Sequence, residues 1–169
     1  WQFYAPLASA VPRDLARLLR DRGAGAVAEE YAGRLEALDR GAVHGFLTGY
    51  VDLIFTHRGR WYLVDWKSNH LGDEADDYGR EAMWRAMCDH HYVLQYHLYV
   101  LALHRYLGYR RPGYEFDEHF GGVFYLFLRG MRPDAGPSRG VWFGRPEPAL
   151  MARLDEEFDQ LERKQRHAS

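Results

Sequence analysis

Apolar positions along the chain switch between two spacings, and the switches mark the elements. Residues 12–22 carry a helical spacing, with Pro12 suited to a first turn and Gly23 to a stop. Residues 27–38 predict a second helix with Tyr31, Leu35 and Leu38 on one face. After a connection at 41–45, residues 46–56 and 61–67 read as two strands around a tight turn at Arg58-Gly59. Residues 68–77 are polar and loop-like. The spacing then predicts helices at 78–90 and 92–107. The second is apolar nearly all round and therefore buried. Arg110-Arg111-Pro112-Gly113 breaks it.

Residues 120–128 form a strongly apolar run, as expected of a central strand. A Pro/Gly/Ser loop at 134–139 leads to a short strand at 141–144. A charged helix at 148–166 is expected to dock by Leu150, Leu154, Phe158 and Leu161. Residues 3–7 resemble the end of a strand. Strands interleaved with helices, without repeats or an internal linker, predict an α/β domain with a small mixed sheet flanked by helices.

Composition narrows the class. A chain of 169 residues, 47% hydrophobic and 15% aromatic, suits one domain with a sizeable core. No apolar run is long enough to cross a bilayer. The single cysteine, Cys88, excludes an internal disulfide framework and a thiolate zinc or iron–sulfur site held by this chain alone. A reducing cytoplasm is the expected compartment. The net charge of −2 provides no global pull toward nucleic acid, although a local groove can still be basic. Only Lys67 and Lys164 are lysines among 22 basic residues. Chance in an arginine-rich chain accounts for this; so does a need at position 67 for a compact ammonium.

The hairpin supplies the chemistry. With Arg58-Gly59 as the loop, His57 pairs with Arg60, Thr56 with Trp61, Ile54 with Leu63 and Asp52 with Asp65. Opposed side chains lie roughly 4.5–5.5 Å apart at Cβ. Two carboxylates so placed repel unless one protonates or a cation lies between them. Mg²⁺ takes one or two protein carboxylates and completes its shell with water and phosphate oxygen. Alternation puts Lys67 on the face of Asp65, opposite Tyr50, and turns Trp66 to the other face, into packing. Val51, Leu53, Phe55, Val64 and Trp66 are expected to bury that other face. The alternative is a surface hairpin with scattered charges, since an Asp-x-Lys triplet by itself is common.

At these residues the chain resembles a known family. Gly49-Tyr50-Val51-Asp52-Leu53 and Leu63-Val64-Asp65-Trp66-Lys67-Ser68-Asn69 resemble nuclease motifs of the RecB family, within the PD-(D/E)xK superfamily. Leu94-Gln95-Tyr96-His97-Leu98-Tyr99 is similar to the family's QxxxY segment. The run from Phe120 to Gly130 resembles the exonuclease V beta-subunit type in particular. The resemblance spans about residues 43–146, and residues 3–7 look like the family's preceding strand.

The resemblance implies a restriction-endonuclease-like core and a Mg²⁺-dependent DNase acting in double-strand break repair and recombination. Asp52, Asp65 and the backbone carbonyl of Trp66 are then metal ligands, Lys67 the catalytic lysine, and Gln95 and Tyr99 a pair lining the site. Without the resemblance, a buried helix with a satisfied polar residue is the better account of Gln95 and Tyr99. The family also carries an upstream helical histidine and an acid just before the first strand; position 2 here is Gln2, and the matching acid is expected just ahead of Trp1. The expectation is one domain over 1–169, a piece of a longer helicase–nuclease subunit with an incomplete metal shell. Such a subunit implies partners resembling RecC and RecD, the RecA recombinase, and ATP only for the helicase part. A docking module binding DNA or RecA is the alternative. An iron–sulfur nuclease is disfavoured by the lone Cys88.

Phosphate contacts are expected from Arg58, Arg60, Arg80 and Arg85, with Arg129 and Arg132 as further candidates. Individually, each is better read as a solvated charge. The nine histidines show no zincin spacing, and His97 and His104 read as structural.

Overall fold

The computed structural model describes residues 2–6, 10–21, 26–39, 46–133, 136 and 138–167. The elements follow as β1 (Gln2–Pro6), α1 (Ala10–Asp21), α2 (Ala26–Asp39), β2 (Phe46–Tyr50), β3 (Leu53–His57) and β4 (Arg60–Lys67). A 3₁₀ turn at Ala75–Tyr78 precedes α3 (Arg80–Asp89) and α4 (Tyr92–Arg110). Then come α5 (Phe116–His119), β5 (Phe120–Phe127), a 3₁₀ turn at Leu128–Gly130, β6 (Val141–Gly144) and α6 (Pro148–His167).

The expected α/β architecture is present, with a four-stranded mixed sheet in the order β3-β4-β5-β6. β4 runs antiparallel to β3 and parallel to β5, while β6 is antiparallel to β5. A parallel neighbour needs a crossover, and α3 and α4 provide it. The hairpin register is the expected one from His57↔Arg60 to Leu53↔Val64. Its loop holds Arg58 at φ 49 and Gly59 at φ 78, both left-handed, as a two-residue type I′ turn demands. At the start of the β4–β5 pair the register shifts, because Trp61 faces Phe120 and Tyr62 faces Gly122. Gly121 is the residue left over, and a Cβ there would strike the Tyr62 ring at 2.2 Å.

The single strand expected over 46–56 is instead two. β2 pairs with β1 in a separate ribbon, from Gln2↔Tyr50 to Pro6↔Phe46. Val51 is drawn into the core at 2% exposure, which takes the backbone out of one ladder before β3 joins the other. Tyr50 therefore does not oppose Lys67, whose partner is Phe127 across the parallel pair. Gly79 caps α3, so the helix begins two residues later than expected, and α4 continues to Arg110. The four-residue helix α5 was too short to leave a periodic signal.

The core gathers Leu15, Tyr31, Leu35, Met83, Met87, Val100, Leu103 and one face of the sheet. Leu38 departs from its expected face and is exposed. Helix α6 docks by Leu150, Met151, Leu154 and Phe158, and the Leu161 side chain lies outside the described residues. The connection at 41–45, with His44, also lies outside them, as do parts of the loop at 134–139.

Candidate active site

Asp65 and Lys67 sit on β4 two residues apart, so alternation sends both to the face covered by α4. Both are buried, at 5% and 9% exposure. Lys67 Nζ lies 2.5 Å from Asp65 Oδ2. It also donates to Gln95 Oε1 at 3.1 Å. The same Gln95 oxygen accepts the Tyr125 hydroxyl at 2.9 Å, and Gln95 Nε2 donates to the Tyr99 hydroxyl at 2.9 Å. An ammonium has no acceptor capacity, so this pattern fixes the orientation of the Gln95 amide. Gln95 and Tyr99 share a helical face at i and i+4, while Tyr125 faces Asp65 in the β4–β5 register.

Asp52 is outside the ladder, in the bend after Val51. Its Oδ2 accepts the backbone N–H of Trp66 at 2.9 Å, which holds the carboxylate against the strand segment carrying Asp65. The two acids are therefore brought together, although by a side-chain tether to Trp66 in place of a Cβ-to-Cβ ladder pair. Burial pushes the Asp65 carboxyl above the ordinary carboxylate value. Lys67 pulls it back, and the charge of Asp52 adds to the rise. Burial likewise raises the Tyr99 hydroxyl, with the Asp65 charge adding to it. The Gln95 amide and the Tyr50 backbone N–H work the other way. Tyr125, fully buried, is raised further.

Trp66 does point to the opposite face, as expected, but it is not packed there: 44% of it is exposed. That face holds Phe55 stacked on Tyr62 at 5.0 Å, and Phe124 against Phe143 at 4.9 Å. Val64 is buried, yet Leu53 and Phe143 are 42% and 51% exposed, so among the described residues the face is only half covered.

Three residues of the site carried no separate signal in the sequence. Tyr92, Tyr125 and Asn69 all approach Lys67 or its partners. Lys67 Nζ stands 3.8 Å from the Tyr92 ring centroid and 5.0 Å from that of Tyr125. The Tyr92 hydroxyl donates to Asn69 Oδ1 at 3.1 Å. Tyr92 precedes Gln95 by three positions, a same-face spacing that offered a clue. A cavity of 290 Å³ opens beside Gln95 and Tyr99 and is lined also by Gly49, His90, His91, Leu94 and Leu98.

The arginines divide. Arg58 and Arg60 stand at the hairpin turn, and Arg60 is about 17 Å along β4 from Asp65. Arg80 and Arg85 are exposed on α3 and line a groove with Arg139. Arg129 donates to the Ser68 carbonyl at 2.9 Å and Arg132 to the Asp73 carbonyl at 3.1 Å, so both brace the loop that follows Lys67. His97 is a core residue whose Nδ1 lies 2.7 Å from the Val93 carbonyl, and His104 contacts the Tyr114 hydroxyl.

Among the described residues no three His, Cys, Asp or Glu side chains form a metal-holding group. Mg²⁺ requires fewer, and the carboxylate oxygens of Asp52 and Asp65 suit a hard cation. No helix of the described residues is long and apolar enough to cross a membrane.

The profile of the PD-(D/E)XK nuclease superfamily matches residues 4–169. The RecBCD enzyme subunit RecB of Escherichia coli K12 is 51% identical over 116 residues, 69% of this chain and 10% of that protein. The RecB of Haemophilus influenzae is 47% identical over 123 residues, 73% of this chain and 10% of its own. That of Mycobacterium tuberculosis H37Rv is 42% identical over 137 residues, 76% and 12% respectively. The chain thus spans about a tenth of the length of the curated relatives it matches. With a buried Asp-x-Lys strand beside a tethered aspartate, and a profile match over nearly its whole length, the chain belongs to the PD-(D/E)XK nuclease superfamily, as a nuclease domain of the RecB type.

Proposed function

We propose that this domain cuts DNA by Mg²⁺-dependent phosphodiester hydrolysis, as the exonuclease part of a longer RecB-type helicase–nuclease subunit in double-strand break repair. The observation that carries the reading is the buried Lys67 ammonium held between Asp65 and Gln95, with Asp52 fastened to the next residue's backbone. Asp52, Asp65 and the Trp66 carbonyl would hold the cation. When bound, such a cation lowers the pKa of water and offsets charge on the phosphate. Lys67 stabilises charge on the phosphoryl oxygens or orients the attacking water. Gln95 keeps the ammonium aimed, and Tyr99 holds Gln95.

Phosphate contacts by Arg80 and Arg85, and by Arg58 and Arg60 on a longer duplex, need no reading of sequence and suit a nonspecific nuclease. The relatives are named as subunits of the RecBCD enzyme. By extension this chain works with RecC-like and RecD-like subunits, on single strands and duplex ends, in a bacterial cytoplasm, and delivers strands to the RecA recombinase. ATP serves only the helicase part.

The test compares the whole subunit with its Asp65→Ala variant in DNA degradation, with Mg²⁺ or EDTA. Cutting is expected to vanish in the variant and in EDTA while unwinding persists. Equal degradation by the variant removes Asp65 from the metal site. A parent protein that binds DNA but never cuts it makes the domain a docking module.

A further inference from the structure

We propose that Tyr92 is a positioning residue for Lys67, its ring forming the third wall of the seat that holds the ammonium. The inference rests on the reading of Lys67 as the working amine. An ammonium carries three N–H donors on a flexible four-carbon stem. Two of its directions are taken, by Asp65 Oδ2 at 2.5 Å and Gln95 Oε1 at 3.1 Å. The face of Tyr92 stands on a further side, 3.8 Å from Nζ to the ring centroid, with the Tyr125 ring at 5.0 Å.

The ring is itself held in place. Its hydroxyl is tied to Asn69, two residues beyond Lys67. The His90 ring stacks on it at 5.3 Å, and Tyr125 approaches at 5.6 Å. Tyr92 therefore joins the start of α4 to the chain leaving β4, and it does so at the amine.

A ring differs from an oxygen in this position. It attracts the charge of an ammonium without claiming a specific N–H. Lys67 is thereby restrained while one donor stays available to a phosphate oxygen. A third strong acceptor would restrain it equally but compete with the substrate. The ring accordingly acts on turnover more than on affinity for DNA.

Two lysines in these 169 residues make a direct test possible, because ¹³C-lysine labelling confined to them yields signals from Lys67 and Lys164 alone. The Lys67 ε-CH₂ protons are expected upfield of those of Lys164, displaced by the ring current of Tyr92. Tyr92→Phe keeps the displacement, and Tyr92→Leu moves the signal toward that of Lys164. In DNA cutting, Tyr92→Leu is expected to lower kcat about tenfold with KM within about twofold, and Tyr92→Phe to restore most of it.

Lys67 signals without upfield displacement in the unaltered chain overturn the contact, with no variant needed. Signals unmoved in Tyr92→Leu, or a kcat equal to that of the parent, overturn the role. A loss in Tyr92→Phe as large as in Tyr92→Leu transfers the function to the hydroxyl and overturns the ring. Should the unaltered protein fail to cut DNA, the nuclease reading falls while the spectra still decide the seat.

Discussion

The two faces of the four-stranded sheet are built from the same strands and meet opposite fates. On one, Leu63, Asp65, Val123, Tyr125 and Phe127 are buried, and α4 lays Tyr92 and Tyr96 across Tyr125. On the other, Phe55, Tyr62, Phe124 and Phe143 lean on one another, while Leu53, Trp66 and Phe143 remain about half exposed. Hydrophobicity does not separate them, since the half-covered face is the more uniformly apolar. The covered face is the one that carries charge, and the crossover helix brings the polar partners that make burial of Lys67 and Asp65 tolerable. A buried ion pair is sustainable only when its remaining donors and acceptors are met. Here Gln95 accepts a second Lys67 donor and is itself held by Tyr99 and Tyr125.

This contrast can be broken at three places, in order of expected effect. Lys67→Ala on the covered face should slow DNA cutting by about 10²–10³-fold, the scale of losing one charge-stabilising donor, as measured under single-turnover conditions. Tyr125→Ala, at a fully buried position, should cost about 3–5 kcal/mol in urea unfolding. Tyr125→Phe should cost only about 1 kcal/mol, because it removes one of the two donors to Gln95 and leaves the packing. Phe143→Ser on the open face should change stability by about 1 kcal/mol or less and leave cutting unaltered, while reducing binding of an apolar dye. A Phe143→Ser loss as large as that of Tyr125→Ala would mean that the two faces are energetically alike.

The hairpin was legible because its information is local: Arg58-Gly59 sets the turn, and period-two alternation does the rest. The split at Val51 was not, since Val51 and Leu53 continue the alternation of β2 into β3 and nothing local marks which ladder each joins. The exposure of Trp66 was hidden for a different reason. Alternation tells which face a side chain takes, not what packs over that face. Tyr125 could not be tied to Gln95 without the parallel register that sets it beside Asp65. The family motifs pointed to Gln95 and Tyr99 where spacing alone left them ordinary core residues. Arg129 and Arg132 read as free cations because their carbonyl partners lie about sixty residues away.

The parallel pairing of β4 with β5 has a consequence for the order of assembly. A two-residue hairpin forms on the order of microseconds. Joining β4 to β5 must wait until residues 68–119 have collapsed and the intervening helices have docked, a closure of much higher contact order. Contact order therefore predicts that the Asp52 tether to Trp66 forms with the hairpin, ahead of the docking of Gln95, Tyr92 and Tyr125, an order that mutational folding kinetics would check. Completion of the amine's surroundings is thus a report on the finished chain, and a half-folded domain holds its acids without the means to use them.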